Sequence, residues 1–267
     1  YVKIDQLEHF ILDEADRMLD MGFADDLKKI AEYLPKKRQN IMFSATMPPK
    51  IRKLARDVMN NPEEISIAIS QTAEGIMQAA YMTHENQKNE LVKSLLKGKE
   101  ELNSIIIFTS RKTTVKDLVR DLKKMDMDAD GISSDLNQEE REEVLRRFKN
   151  KRLRILVAND IISRGIDIDS IDLVINYDVP NDPEDYVHRV GRTARAKSTG
   201  VALTLIDSKG IRDFQKIEQL IKKTVPKLPN PPDIGDGPEY KSGNSQHRSG
   251  GNKKRNFNKK RNFKKKD

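Results

Sequence analysis

The chain has 267 residues, a net charge of +8 and no cysteine. This length allows one or two domains, each with a core of its own. The lack of cysteine excludes disulfides, thiolate metal sites and a cysteine nucleophile, and it is typical of a reducing compartment, so we expect a cytoplasmic protein. The longest apolar runs, 105–108 and 155–158, are far shorter than the ~20 residues of a membrane helix, so we expect no membrane partner.

Residues 1–67 alternate between strand-like and helix-like stretches. Two short apolar runs predict buried strands that lead into polar residues. Apolar residues at helical spacing predict two helices, the second of which begins at Pro48 and Pro49. We interpret this region as the remnant of one α/β domain. The strands are predicted at 10–12 and 41–43, and the helices at 27–34 and 51–59.

A polar linker, 68–75, precedes a second and complete α/β set in 76–224. Regular alternation of strands and helices is typical of a parallel sheet covered by helices. Asn137, with Glu140 three residues later, predicts a capping box at the start of one helix. Strands are predicted at 79–83, 104–109, 128–132, 153–158, 172–176 and 200–206. Helices are predicted near 87–97, 112–124, 138–149, 183–191 and 208–223.

From Val225 the composition turns to Pro, Gly, Ser and Asn, so we expect 225–267 to be a disordered tail. Residues 241–267 hold eleven Lys and Arg and one acid, whereas residues 1–240 hold 39 bases and 41 acids. Phenylalanines interleaved with bases suit RNA, because cations meet phosphates while rings stack on bases. A merely solvated terminus is the alternative. The residues predicted to bind RNA here are Lys253, Arg255, Phe257, Arg261 and Phe263.

Two adjacent carboxylates, Asp13 and Glu14, follow the first predicted strand. Ligands of open α/β sheets bind where strands end. One carboxylate there can hold Mg²⁺ through its waters while the other activates a water for phosphoanhydride hydrolysis. An acidic helix N-terminus, favoured by the helix dipole, is the alternative.

Six motifs across residues 1–223 resemble, in order, those of the DEAD-box RNA helicases. The matching segments are 13–23, 44–46, 105–108, 138–141, 159–167 and 188–195. The sequence departs from the family pattern at a few small residues. Asn159 stands where Thr is usual, and Ser163 stands where Ala is usual. Ala194 replaces a common Gly, and Ser133-Ser134 replace a frequent His-Gly pair.

The resemblance implies tandem RecA-like parallel-sheet domains, the first one incomplete here, that close over ATP, Mg²⁺ and RNA. It implies that Asp13 serves the metal through water and that Glu14 activates the attacking water. It also implies a set of residues that couple the nucleotide site to RNA. These are Asp16, Ser44, Thr46, Gln138, Arg164 and His188. The residues alone leave other interpretations open, since the two hydroxyls suit a strand-end cap and His188 a structural histidine.

Arg192 and Arg195 lie side by side if they share a helical turn. Guanidinium groups suit phosphate oxygens, and the resemblance assigns both arginines to catalysis at the γ-phosphate of ATP. A pair of surface arginines is the alternative. The resemblance further places Asp167 on the ATP sugar. The residues that it places near RNA are Arg141, Asn159 and Gly165.

No phosphate-binding loop of the form Gly-x-x-x-x-Gly-Lys-[Ser/Thr] occurs in the chain, which begins with Tyr1. Since phosphates need the N–H groups and lysine of that loop, we expect an N-terminally truncated sequence that does not hydrolyse ATP efficiently alone. The predicted function is an ATP-dependent RNA helicase that acts as a monomer on structured or duplex RNA without sequence specificity. Its predicted protein partners are ribonucleoprotein or ribosome-assembly factors. A non-enzymatic RNA clamp and a DNA helicase are the alternatives.

Overall fold

A computed structural model describes residues 3–44, 46–66, 75–159, 168, 171–193 and 200–240, and every structural statement below concerns these residues. Strands and helices alternate along them. The strands are β1 His9–Leu12, β2 Gln39–Met42, β3 Met77–Met82, β4 Ile105–Thr109, β5 Ala129–Ile132, β6 Ile155–Asn159, β7 Leu173–Asn176, β8 Val201–Ile206 and β9 Lys227–Leu228. The helices are α1 Ala15–Asp20, α2 Ala24–Tyr33, α3 Pro49–Val58, α4 Lys88–Leu96, α5 Lys112–Lys123, α6 Gln138–Lys149, α7 Pro183–Val190 and α8 Ile211–Ile221.

The first part of the chain forms a small parallel sheet. Strands β1 and β2 pair from His9 opposite Gln39 to Leu12 opposite Met42. Helices α2 and α3 cover it, because their apolar faces meet Leu12 in one core cluster. Both strands and both helices were predicted from their apolar spacing. Helix α1, directly after the acidic pair, was predicted only by the alternative interpretation of that pair as a helix N-terminus.

The second part forms a seven-stranded parallel sheet in the order β5-β6-β4-β7-β8-β3-β9. Helices α4 and α5 cover one face, and α6, α7 and α8 cover the other. Alternate residues of β4 serve the two cores, since Ile105 and Ile107 face one and Ile106 and Phe108 the other. The predicted strands and helices of this region are all present within about three residues, and Asn137 forms the predicted capping box with Glu140.

The strand order creates a crevice between β4 and β7. After β4 the chain turns towards β5 on one side, and after β7 it turns towards β8 on the other. Ligands of open parallel sheets bind at such a switch point, outside the carboxyl ends of the strands. A ligand site is therefore expected among the residues that follow β4, β6, β7 and β8.

The prediction that order ends at Val225 is wrong for residues 225–240. Residues 227–240, here called the strap, cover the last edge of the large sheet, where β9 pairs in parallel with β3. The Asn230 side-chain amide donates to the backbone carbonyls of Met82 and Gly235, each at 2.8 Å. Composition indicated disorder because the strap has few apolar residues, but edge pairing and hydrogen bonds to backbone hold it instead. Residues 241–267 lie outside the described residues.

No described helix combines the length and the apolar character that a bilayer span requires.

Candidate functional site

The acidic pair sits at a strained turn between β1 and α1. Glu14 adopts the left-handed conformation, with φ of 50°, directly before the helix. The Asp13 carboxylate accepts the Glu14 N–H at 2.9 Å. A non-glycine residue in this conformation costs about 1–3 kcal/mol, and such strain is concentrated at functional sites. Both side chains remain accessible at the mouth of a cleft.

Asp16 joins the acidic motif to the segment after β2. Its carboxylate accepts the backbone N–H of Thr46 at 3.0 Å and the Thr46 hydroxyl at 3.2 Å. The Ser44 hydroxyl accepts the Asp16 N–H at 3.2 Å and donates to the Thr46 carbonyl at 2.7 Å. The two predicted motifs are therefore one hydrogen-bonded unit, so that a shift of one displaces the other.

A cleft of about 270 Å³ lies between this unit and the start of α7. It brings together five of the predicted residues of the first part with His188 of the second. Carboxylates dominate the part of its wall that the structure describes, where Arg17 and His188 are the only basic side chains. The lining residues are Asp13, Glu14, Asp16, Arg17, Asp20, Phe43, Ser44, Thr46, Asp182, Glu184, Asp185 and His188.

Glu184 has a strongly perturbed carboxyl group in the cleft. Its hydrogen bond with Asp182, together with burial and the negative charges of Asp182 and Asp16, raises the pKa of Glu184 to about 7. Asp182 also caps α7, since its side chain accepts the Glu184 N–H at 3.1 Å. The cleft is thus strongly acidic on both sides, an environment that favours a bound cation or cationic partner.

The sixth motif lies at the end of α7, where the chain leaves the helix. Arg192 is half-buried in the turn after Val190, and its N–H donates to the Arg189 carbonyl at 3.2 Å. The Thr193 hydroxyl anchors this turn to the Ile171 carbonyl at 2.6 Å. His188 reaches the cleft lining, whereas Arg192 is not among the described lining residues.

Of the remaining predicted residues of the second part, Gln138, Arg141 and Asn159 are described, and they lie near the carboxyl edge of the large sheet. Gln138 begins α6, and its amide oxygen lies 3.5 Å from a guanidinium nitrogen of Arg141. Asn159 ends β6, and its side-chain amide donates to the Ser110 carbonyl at 3.4 Å. Several predicted residues lie outside the described residues: Arg164, Gly165, Asp167, Arg195, Lys253, Arg255, Phe257, Arg261 and Phe263.

Sequence reasoning missed a buried cluster at the same edge. Lys88 is 1% exposed and pairs with Asp178 and Asp207, which follow β7 and β8. An acid at the end of an apolar strand was the signal that identified Asp13. The same signal applied to Asp207, directly after β8, and to Asp178, two residues after β7. Lys88 gave no such signal, because a lysine at a helix start is usually exposed.

Two family models match the chain. The model described as DEAD/DEAH box helicase covers residues 1–54, and the model described as helicase conserved C-terminal domain covers residues 87–197. Together the two models match more than half of the 267 residues.

Known relatives agree with these models. The chain is 38% identical over 239 residues to the DEAD-box ATP-dependent RNA helicase CshA of Geobacillus kaustophilus. The match covers 89% of this chain and 51% of that protein. It is 41% identical over 231 residues to the ATP-dependent RNA helicase CshA of Listeria monocytogenes. This second match covers 86% of this chain and 44% of that protein. The chain therefore spans about half the length of these curated relatives.

The structure resembles that of S. cerevisiae Dbp5 bound to RNA and ADP BeF3, with a TM-score of 0.77 and 28% identity over 85% of this chain and 61% of that one. This similarity confirms the predicted class of RecA-like parallel-sheet fold. From the motifs, the fold and the relatives taken together, the chain belongs to the DEAD-box helicase family.

Proposed function

We propose that the protein carrying this chain is an ATP-dependent RNA helicase that locally unwinds or remodels RNA duplexes. The observation that supports this most strongly is the unit formed by Asp16, Ser44 and Thr46, which stands beside Asp13 and Glu14 at a cleft shared with His188. A change at the nucleotide is thereby linked to a cleft between two α/β parts. Closure of that cleft supplies the force for strand separation.

ATP and Mg²⁺ are the proposed cofactors. Mg²⁺ prefers oxygen ligands and is usually held by one or two carboxylates, waters and substrate phosphates. The exposed Asp13 carboxylate beside Glu14 fits this donor set. Bound Mg²⁺ would supply charge neutralisation at the phosphates. Glu14 would orient and deprotonate the attacking water, and Arg192 with Arg195 would stabilise the charge that develops on the γ-phosphate.

RNA is the proposed partner, recognised through backbone and 2′-hydroxyl contacts with little base readout. The names of the relatives and the RNA in the Dbp5 structure support this class of ligand. Arg141 and Asn159, near the carboxyl edge of the large sheet, would contact RNA. We further propose an RNA contact for Gly165 and a contact of Asp167 with the ATP sugar. The basic residues of 241–267 would add contacts to phosphate.

The domain division stays a proposal: a remnant in 1–67, a linker in 68–75 and a RecA-like domain from 76. We propose that hydrolysis requires a phosphate-binding loop outside this chain. A non-enzymatic RNA clamp is the alternative, favoured if the full-length protein lacks that loop. The monomeric state, the ribonucleoprotein factors and the cytoplasmic location stay predictions from the sequence.

Glu14→Gln in the full-length protein tests the proposal. The substitution keeps the shape of the side chain but removes the base, so RNA-stimulated ATP turnover should fall by about 100-fold or more while ATP and RNA still bind. Asp26→Asn, an exposed acid on α2, is the matched control and should keep normal turnover. Steady-state ATPase assays and equilibrium binding measure both. Normal turnover in Glu14→Gln would reject the assigned role.

A further inference from the structure

Lys88 stands at the centre of a buried charge cluster that the proposed chemistry does not use. Its ammonium group contacts Glu85 at 2.8 Å and both Asp178 and Asp207 at 3.0 Å. The group also lies 5.3 Å from the centre of the Tyr177 ring. Burial opposes the charge, but the surrounding carboxylates outweigh burial and raise the pKa of Lys88 above its ordinary value. The lysine therefore stays charged in the working pH range.

Asp178 connects Lys88 to the neighbouring ends of strands and to α7. One carboxylate oxygen faces Lys88, and the other accepts the Thr109 hydroxyl at 3.0 Å and the Ser110 N–H at 2.8 Å. Its backbone carbonyl accepts a guanidinium N–H of Arg189 at 3.1 Å. Because both oxygens and the carbonyl are engaged, a displacement of Asp178 must move several loops at once.

The contacts of Asp178 continue into the proposed RNA site. Ser110, whose N–H Asp178 holds, accepts the side-chain amide of Asn159 through its carbonyl at 3.4 Å. Arg189 also donates to Asn176 at 3.1 Å and lies 5.2 Å from the centre of the Phe108 ring. The ends of β4, β6 and β7 and the helix that carries His188 thus meet at the switch point of the sheet.

Such a cluster is not explained by stability alone. Replacing a buried ion pair by apolar residues of similar volume is often neutral or stabilising, so an apolar core would hold these strands as well. Unlike apolar contacts, ion pairs and hydrogen bonds fix the relative orientation of the groups that they join and the register of the strands that carry them. A directional anchor at the ends of several strands suits a site whose loops must be aligned.

We propose that Asp178, held by Lys88, is a positioning residue that aligns Thr109, Ser110 and Asn159, at the ends of β4 and β6, with α7 for RNA binding. This inference rests on the proposed function, because that function assigns Asn159 to RNA. It predicts that loss of the anchor weakens the response to RNA while ATP binding is kept.

Asp178→Asn in the full-length protein is the main test. Thr109→Val is a milder variant that removes the Thr109 hydroxyl, which donates to Asp178 at 3.0 Å and accepts the Arg111 N–H at 3.5 Å. The RNA concentration for half-maximal ATPase should rise about tenfold in Asp178→Asn and less in Thr109→Val, with the affinity for an ATP analogue unchanged. Leu96→Ala is the matched control, because Leu96 is buried on the helix of Lys88 but two turns away. It should lower the unfolding temperature without changing the RNA concentration for half-maximal activity.

Amide hydrogen exchange separates this inference from the proposed function. In Asp178→Asn, exchange should accelerate in peptides covering 105–111 and 155–159, and in Leu96→Ala these peptides should exchange no faster than the rest of the sheet. If wild-type turnover does not respond to RNA, the proposed function fails and the RNA role of this anchor fails with it. If wild type responds to RNA and Asp178→Asn behaves like Leu96→Ala in both assays, only the positioning role is overturned.

Discussion

Asp207, at the carboxyl end of β8, is held between the Lys88 side chain and the backbone of residues 209–210. Its carboxylate faces Lys88 and accepts the N–H groups of Lys209 and Gly210 at 2.9 and 2.8 Å. Burial opposes ionisation, but the Gly210 N–H and Lys88 outweigh it and lower the pKa of Asp207 to about 2. Because the ordinary value is 3.8, the unfolded chain binds the proton first as the pH falls.

The Asp207 carboxylate should therefore stabilise the fold above about pH 4 and lose this effect as the pH falls towards 2. Asp207→Asn should lower the free energy of unfolding at pH 7 by about 2 kcal/mol, and this difference should shrink below pH 4. Denaturant unfolding at a series of pH values measures it. Asp117→Asn removes an exposed acid of α5 and should show no such pH-dependent difference. A difference between wild type and Asp207→Asn that is constant with pH would contradict the assignment.

The strap is an element without a regular hydrophobic pattern, yet it is anchored at both ends. The Tyr240 hydroxyl donates to Glu218 at 2.6 Å, and its ring meets the edge of the Phe214 ring at a centroid distance of 6.4 Å. Between the anchors, Gly237 lies so close to β3 that an added Cβ would stand 1.9 Å from the Met82 carbonyl oxygen. No side chain fits there unless the strap moves.

Gly237→Ala should therefore release the strap from the end of β3. We expect the unfolding temperature to fall and a protease site to open within 229–240, because the side-chain hydrogen bonds that hold this segment, Asn230 to Met82 and Gln87 to Ile234, would be lost. Limited proteolysis with mass spectrometry and thermal unfolding check this outcome. Asp236→Ala, at an exposed neighbouring position, is the control. Equal resistance of Gly237→Ala and wild type would show that the close approach is unimportant.

Element prediction from the sequence succeeded where burial follows a local period. The runs 105–108 and 155–158 became fully buried central strands, and Asn137 became a helix cap, because adjacent residues decide these features. The strap was mistaken for disorder because its partners are distant in sequence, as for Asn230 and Met82. The pairing of Lys88 with Asp178 was missed for the same reason. A single sequence shows which residues end each strand but not which strands become neighbours.

At the scale of the whole molecule, charge is divided between an almost neutral body and a strongly basic terminus. Residues 1–240 hold 39 bases and 41 acids, whereas 241–267 hold eleven bases and one acid. Seven carboxylates are among the described residues that line the cleft. Nonspecific attraction to RNA is therefore expected to come mainly from the terminus, while the body supplies geometry.

Deletion of 241–267 should weaken RNA binding and reduce its dependence on salt. For single strands the slope of log K against log salt is about −0.7 for each phosphate contacted, so loss of about six such contacts should reduce the slope by about 4. Titrations of labelled single-stranded RNA at 50–300 mM salt, roughly the range over which such slopes are resolved, measure this change. An unchanged slope after the deletion would discard the terminus as a phosphate-binding element.

Replacing both phenylalanines, Phe257 and Phe263, by alanine separates stacking from charge. Stacking of a base on an aromatic ring contributes about 1–3 kcal/mol and involves no counterion. The double variant should therefore lose affinity at every salt concentration while keeping the wild-type slope. If it binds RNA as tightly as wild type, the rings contribute nothing and the lysines and arginines act alone. If its slope falls with its affinity, the rings instead serve to hold the cations against phosphate.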